Sequence, residues 1–304
     1  MLTLFTIPKP FHGHLDVIQR NAIRSWTRLG PACEVLLFGD ESGMAEVARE
    51  LQVRHVPQVA RNEFGTPLLD DVFHQAQEKA RHNLLCYVNA DVLLMGDFAR
   101  AVERMARCPR MFLASGQRWD FDLQQVLTFE AGWEERLAAE VARTGKLQTN
   151  WAIDYFLSRR DFWVGIPPFA VGRAAWDNWL FYHARARGAW LIDLTEQVQA
   201  VHQNHDYAHH PAGTEGVFKG PEAQRNRELA GGEEHLFYFN DATHRLTAQG
   251  LRRALDRPHF RRYLKSLGKF HPRLNLLARI TDRYLRGPAR GLWKALDAIS
   301  YPRI

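Results

Sequence analysis

The chain has 304 residues, of which 46% are hydrophobic and 12% aromatic, a composition that excludes a disordered protein and allows a large core. No apolar run approaches the roughly 18 residues of a membrane-spanning helix. The net charge of +6 is concentrated at one end: residues 251–304 carry 14 Lys or Arg against three Asp, whereas residues 1–250 carry 26 basic and 31 acidic residues. A nucleic-acid-binding body is therefore not expected.

Residues 1–115 alternate between strand-like and helical segments. The strand-like segments are LTLFTI, CEVLLFGDE, VRHVPQV, LLCYV and RMFLASG, and the helical ones between them begin near 14, 43, 66 and 97. The third helical segment starts with Thr66 as a predicted cap and Pro67 at the first helical position. This alternation predicts an α/β fold in which helices cover both faces of a mostly parallel sheet.

The second half of the chain has a weaker pattern. One charged helix is predicted around WEERLAAEVARTG in residues 116–150, and residues 151–210 are rich in aromatic side chains. Residues 211–235 are polar and rich in glycine, which predicts a mobile loop. Residues 251–304 are basic, with Leu, Phe, Tyr and Trp at helical spacing, and predict an amphipathic helical tail.

Polar residues follow three of the predicted strands. They are Thr6-Ile7-Pro8, Gly39-Asp40 and Asn89-Ala90-Asp91. Ligands bind beyond the carboxyl ends of the strands in open α/β sheets, so we expect these residues near a ligand. The chain lacks the glycine-rich phosphate loops of Rossmann dehydrogenases and P-loop NTPases. A nucleotide site of another kind would need a cation, typically Mg²⁺ or Mn²⁺ on carboxylate oxygens, to neutralise the phosphates.

Four histidines lie close together in the segment AVHQNHDYAHH. They are His202, His205, His209 and His210. Imidazole nitrogen suits Mn²⁺ better than Mg²⁺. A zinc hydrolase would require H-E-x-x-H or an equivalent set, and Gln203 and Asn204 occupy the middle positions here. The alternative is a polar loop whose histidines bond to neighbouring residues.

Asp177 lies near the start of a predicted helix, between Trp176 and Trp179. A carboxylate between aromatic residues at a helix start is a candidate functional residue. Asp154, in NWAIDYFL, is a second carboxylate candidate. The alternative is that Asp177 interacts with the helix N-terminus while both tryptophans pack in the core.

The order of these residues resembles that of the GT-A glycosyltransferases. Those enzymes carry an Asp-x-Asp or related motif after a central strand, and its last Asp binds a divalent ion that bridges the sugar-nucleotide diphosphate. Here the motif is Asn89-Ala90-Asp91, so its first carboxylate is replaced by an amide. The resemblance implies Asp91 as a direct metal ligand and Asn89 as a partner of the ribose or sugar, with His202 or His205 completing the metal site.

The same resemblance implies further roles and a domain organisation. Thr6, Pro8 and Asp40 would line the nucleotide pocket, Asp177 would be the base in an inverting enzyme, and Asp154, Trp176 and Trp179 would face the acceptor. Residues 1–250 would form a catalytic domain, with a nucleotide-binding half (1–115) and an acceptor and metal half (116–250). The substrates would be a nucleotide-sugar and a saccharide or lipid-linked acceptor, in polysaccharide or glycolipid assembly, with Mn²⁺ or Mg²⁺ as cofactor.

Two rival functions remain open. A sugar nucleotidyltransferase has a related fold, but its glycine-rich basic loop after the first strand is reduced here to Lys9 and Gly13. A non-catalytic membrane- or glycan-associated protein on a degenerate GT-A scaffold is allowed by Asn89. The basic tail predicts either contact with an anionic membrane surface or a helical cap on the domain. We expect a cytoplasmic protein, peripheral at the inner face of the membrane if the tail binds lipid.

Overall fold

The computed structural model describes residues 2–30, 32–205, 213–274 and 276. Within them, a central sheet of nine strands runs in the spatial order β13 (Gly250–Arg253), β12 (His244–Thr247), β10 (Trp190–Asp193), β6 (Phe112–Ser115), β9 (Tyr155–Arg159), β4 (Leu84–Val88), β1 (Leu2–Thr6), β2 (Cys33–Phe38) and β3 (Arg54–Val56). Strands β3, β2, β1 and β4 are mutually parallel, and β9 is antiparallel to both β4 and β6. The predicted mixed α/β class with a mostly parallel sheet is confirmed.

A smaller sheet lies beside the carboxyl end of β4. Its order is β5 (Val92–Leu93), β11 (Ala200–Gln203), β7 (Arg118–Phe121) and β8 (Lys146–Leu147). Strand β11 is antiparallel to β5 and parallel to β7. Because β5 follows β4 after only three residues, this sheet brings distant segments of the chain next to the end of a central strand.

Helices cover both faces of the central sheet, as predicted. They are α1 (Gly13–Trp26), α2 (Met44–Glu50), α3 (Leu69–Lys79), α4 (Gly96–Ala106), α5 (Trp133–Thr144), α6 (Trp176–Ala186), α7 (Gly213–Lys219), α8 (Pro221–Leu229) and α9 (Arg257–Phe270). Successive residues of β1 point to opposite faces: Leu4 packs with α1, α2 and α4, whereas Phe5 packs with α3 and α6. Among the described helices, none is long and apolar enough to cross a membrane.

The start of α3 differs from the prediction. The helix begins at Leu69 with Leu68 at the N-cap, not with a Thr66 cap and Pro67 in the first turn. Asn62 Oδ1 instead accepts hydrogen bonds from the backbone N–H groups of Phe64 and Thr66, at 3.0 and 2.9 Å. The Asn62 side chain thus closes a turn before the helix. Local sequence alone does not distinguish such a turn from a helix cap.

The segment predicted as a loop at 211–235 contains helices in its described part. Asn226 of α8 donates from Nδ2 to the carbonyl of Ala170 at 3.0 Å and accepts from its N–H at 2.9 Å. Residues 211 and 212 lie outside the described residues. Strand β13 includes residue 251, the predicted start of the tail, and pairs with β12 in the central sheet. Of the tail, α9 is described, and residues 275 and 277–304 lie outside the described residues.

Candidate metal centre and active-site cleft

A cleft of about 690 Å³ opens at the carboxyl ends of β1 and β4. Its walls come from the segments that follow these strands, from the start of α6, from the end of β11 and from α7. Five titratable residues of predicted function line it together: Asp91, Asp154, Asp177, His202 and His205. The cleft therefore lies at the edge of the sheet where ligands generally bind in open α/β folds.

Asp91 is held at this edge by its backbone. Its carbonyl accepts hydrogen bonds from the backbone N–H and the side-chain Nε2 of Gln203, at 3.1 and 3.0 Å. Gln203 is fully buried, and its Oε1 accepts from Asn21 of α1. The chain at the end of β4 is thereby fixed to the small sheet, and the carboxylate is left to face the cleft.

Both candidate histidines lie beside Asp91. His205 Nε2 lies 3.0 Å from Asp91 Oδ2, and His202 Nε2 lies 4.0 Å from the same oxygen. One ligand atom from each of the three residues lies within 4.8 Å of the others. The sequence left open which histidine meets Asp91, because residues three apart on a strand do not share a face. Strand β11 ends at Gln203, between the two histidines, so the alternation of side chains along a strand does not apply to His205. Both rings therefore lie beside the Asp91 carboxylate.

The three side chains fit a divalent ion. Asp91 Oδ1 is buried and has no hydrogen-bond partner among the described residues, so one carboxylate oxygen can take a cation. Two imidazole nitrogens and a carboxylate suit Mn²⁺ and related transition metals, whereas Mg²⁺ prefers oxygen ligands alone. The side chain of Asp91 is only 14% exposed, so water screens the attraction between its ionised form and a cation less than at the surface.

The electrostatics of the cluster support an ionised Asp91. Burial disfavours its charged form, but the positive charge of His202 and the hydrogen bond from His205 outweigh burial and hold the pKa of Asp91 well below its usual range. His202 is also buried, yet its contact with Asp120 and the charge of Asp91 raise its pKa. A carboxylate that stays ionised in a buried place is ready to bind a cation.

Asn89 contacts a second carboxylate. Its Nδ2 donates to Asp154 Oδ1 at 2.7 Å, and its backbone N–H donates to the Asp154 carbonyl at 2.9 Å. Asp154 is 3% exposed and also accepts from Arg118 Nη1, which lies 2.9 and 3.0 Å from its two oxygens. The Asn89 side chain thus positions Asp154 in this structure.

Asp177 occupies the second position of α6 and faces the cleft. Burial, reinforced by the negative charge of Asp154, raises the pKa of Asp177 from 3.8 to about 7, although the backbone N–H of Asn178 donates to its Oδ1 at 2.9 Å. Helix α6 starts after Ala175, which has a φ of 88°. A carboxylate with a pKa near neutrality can exchange protons at the pH of a cell.

The other predicted site residues lie at varied distances from this cleft. Pro8 and Trp176 line it, whereas Trp179 packs in the core between Phe169 and His183. Thr6 is fully buried and is not part of the cleft wall. Asp40 lines a separate shallow hollow and pairs with Arg61 at 2.8 Å. The nucleotide-binding roles of Thr6 and Asp40 stay predictions.

Three residues of the cleft region were not predicted from the sequence. Arg118 and Asp120 lie on β7, and Trp151 lies on the cleft wall with 52% of its surface exposed. Arg118 and Asp120 belong to a short strand whose charged side chains resemble an ordinary solvated surface. Trp151 precedes Asp154 in an aromatic segment, and only its exposure distinguishes it from a core residue.

No family model and no curated protein matches this chain. Among solved structures, it is similar to glucosyl-3-phosphoglycerate synthase from Mycobacterium tuberculosis in complex with Mg²⁺ and UDP, at 13% identity and a TM-score of 0.45, over 76% of this chain and 80% of that one. It is also similar to S. aureus TarS 1-349, at 9% identity and a TM-score of 0.44, over 66% of this chain and 60% of that one. The identities and TM-scores of these matches are too low to indicate what this chain binds or catalyses.

Proposed function

We propose that this protein is a divalent-metal-dependent glycosyltransferase that moves a sugar from a nucleotide-diphosphate donor to a hydroxyl group of an acceptor. The observation that carries the proposal is the meeting of Asp91, His202 and His205 in one cleft with Asp177. Ligands for a cation and a carboxylate with a pKa of about 7 are two groups that a metal-dependent transfer with inversion of configuration can use.

The metal ligands would be Asp91, His202 and His205, and Mn²⁺ suits them better than Mg²⁺. When bound, the ion neutralises the donor diphosphate and lowers the cost of the charge that develops on the leaving group. Lys9 also lines the cleft, and its positive charge is close enough to lower the pKa of Asp91. A second cation beside the metal ligands favours the binding of a diphosphate at this wall.

Asp177 would accept the proton of the attacking hydroxyl. Its pKa of about 7 leaves a large ionised fraction at neutral pH and keeps it basic enough to take the proton. Asp154 is held by Asn89 and Arg118 on the same side of the cleft, and its charge contributes to the raised pKa of Asp177. The exposed ring of Trp151 offers an apolar face on which an acceptor sugar can stack.

The proposal includes a saccharide or lipid-linked acceptor in polysaccharide or glycolipid assembly. Its support is the amphipathic and basic helix α9, in which Leu264 is buried while Tyr263 is 46% exposed beside exposed Lys265. Such a face suits an anionic membrane surface. Co-sedimentation of the full chain with vesicles that contain or lack anionic lipid tests this part, and equal binding to both would overturn it.

Calorimetry with UDP, GDP and CMP in the presence and absence of Mn²⁺ tests the donor site. We expect at least one nucleoside diphosphate to bind more tightly by tenfold or more with Mn²⁺, because the ion links the phosphates to the three ligands. Absence of metal-enhanced binding for every nucleotide would overturn the proposal and favour a non-catalytic scaffold. A pyrophosphate-releasing reaction of a sugar phosphate with a nucleoside triphosphate would instead favour the nucleotidyltransferase.

A further inference from the structure

Asp120 lies behind the proposed metal ligand His202, on the side of the ring away from Asp91. The two residues are directly opposite in the parallel pairing of β11 and β7. His202 Nδ1 lies 3.2 Å from Asp120 Oδ1, whereas His202 Nε2 lies 4.0 Å from Asp91 Oδ2. The ring thus has one nitrogen toward a carboxylate in the sheet and the other toward the metal ligands.

Asp120 is itself held from two further directions. Its Oδ1 accepts from Arg118 Nε at 2.9 Å, and its Oδ2 accepts from Gln148 Nε2 at 2.5 Å. The side chain of Asp120 is 17% exposed, and that of His202 is 11% exposed. A carboxylate fixed by two donors offers the nearby Nδ1 of His202 an acceptor in a constant position.

We propose that Asp120 is a positioning residue for the metal centre, which sets the orientation and tautomer of His202. His202 Nδ1 lies 3.2 Å from Asp120 Oδ1 but has no hydrogen-bond partner among the described residues. A neutral imidazole that turned to donate Nδ1–H to Asp120 would present the lone pair of Nε2 to an ion on Asp91 and His205. Histidine ligands of metals generally donate their second nitrogen to such a partner, and loss of that partner weakens metal binding by about 10–100-fold. This inference rests on the metal-dependent function proposed above.

Arg118 connects this carboxylate to the second wall of the cleft. Its Nε bonds to Asp120 while its Nη1 bonds to both oxygens of Asp154, which also accepts from Asn89. A continuous row of hydrogen bonds therefore runs from Asn89 to the Asp120 carboxylate behind His202. The carboxylate nearest to His202 Nδ1 is in this way connected by hydrogen bonds to Asp154.

The test is the affinity of the full chain for Mn²⁺ alone, measured by electron paramagnetic resonance of free Mn²⁺. We expect Asp120→Asn to raise the Kd for Mn²⁺ by about 10–100-fold, since the amide can present its NH₂ group to Nδ1 and favour the wrong tautomer. Asp161→Asn, a change to an exposed carboxylate that does not line the cleft, is the matched control and should leave the Kd unchanged.

A double-mutant cycle with His202→Ala separates positioning from a general loss of structure. If Asp120 acts through His202, Asp120→Asn should add no further loss of Mn²⁺ affinity to the His202→Ala variant. Equal losses in both backgrounds would overturn the inference, as would an unchanged Kd in Asp120→Asn. Should Asp120→Asn fail to fold, Gln148→Ala loosens the same carboxylate from outside the cleft and is expected to raise the Kd less. A wild-type protein that binds no Mn²⁺ would instead count against the proposed function itself.

Discussion

Two carboxylates, Asp40 and Asp91, follow strands on either side of β1, yet they lie in opposite environments. The side chain of Asp40 is 69% exposed and pairs with Arg61, whereas that of Asp91 is 14% exposed beside two histidines. After β2, Gly39 has a φ of 102° and the chain turns outward. After β4, the N–H of Asn89 continues the pairing with β9 by bonding to Asp154, and the chain stays inside the cleft. The two carboxylates therefore differ in how far neighbouring segments enclose them, and only Asp91 faces the cleft.

The largest expected effect tests this contrast directly. Asp91→Ala should abolish Mn²⁺-dependent nucleotide binding, because it removes the only carboxylate of the three-residue cluster. Asp40→Ala should change the Kd by less than about threefold, since an exposed surface ion pair contributes little free energy. Calorimetry of both variants with the same nucleotide is the measurement. A large effect of Asp40→Ala would restore its predicted role at the nucleobase, and intact binding in Asp91→Ala would show that Asp91 only stabilises the turn.

The next prediction extends the contrast to catalysis. Asp177→Asn should lower kcat by about 10²–10⁴-fold while the Kd of the nucleotide stays unchanged, because the amide cannot accept the hydroxyl proton. Single-turnover measurements with a nucleotide-sugar, combined with calorimetry, separate the two quantities. A variant with full activity would remove Asp177 from the mechanism and would be expected of an enzyme that retains anomeric configuration.

The raised pKa of Asp177 also predicts how stability depends on pH. Its pKa is 3.8 ordinarily and about 7 in the folded protein, so the folded state binds the proton more tightly. This contribution to stability is fully present below pH 3.8 and is lost as the pH rises to about 7. A shift of this size corresponds to at most ~4 kcal/mol, reduced by water in the cleft.

We therefore expect the free energy of unfolding of Asp177→Asn to rise relative to that of the wild type between about pH 4 and 7. Urea unfolding of both proteins at several pH values without added metal checks this. Parallel curves for the two proteins across that range would contradict a raised pKa.

The smallest expected effect concerns the rim of the cleft. Trp151 and Phe64 both line the cleft, with 52% and 58% of their surfaces exposed. Trp151 lies three residues before Asp154 in the chain, whereas Phe64 lies in the turn closed by Asn62. Trp151→Ala should raise the KM for a saccharide acceptor by roughly tenfold, the value of one stacking contact. Phe64→Ala is the matched control and should leave that KM unchanged. An equal effect of both variants would mean that general apolar surface, not stacking at one subsite, is responsible.

The sequence by itself determined the alternation of strands and helices, the mostly parallel sheet and the place of Asp91 after a buried strand. These features follow from local patterns of apolar residues, which depend little on distant parts of the chain. The sequence also identified His202, His205, Asp154 and Asp177 as candidate site residues. Their order along the chain resembles that of the motifs in GT-A glycosyltransferases.

Only the tertiary structure decided how these residues meet. The small sheet places β11 between β5 and β7, so residues more than 80 positions apart along the chain surround one ring, that of His202. Strand pairing of this kind has no local signal, which is why Arg118 and Asp120 were not predicted. Helix α8 was also not predicted, because its polar sequence is typical of a loop. In the structure, Asn226 of this helix bonds to both backbone groups of Ala170, a contact that local sequence does not indicate. Contacts between distant segments, and the burial they create, turn ordinary polar residues into a site.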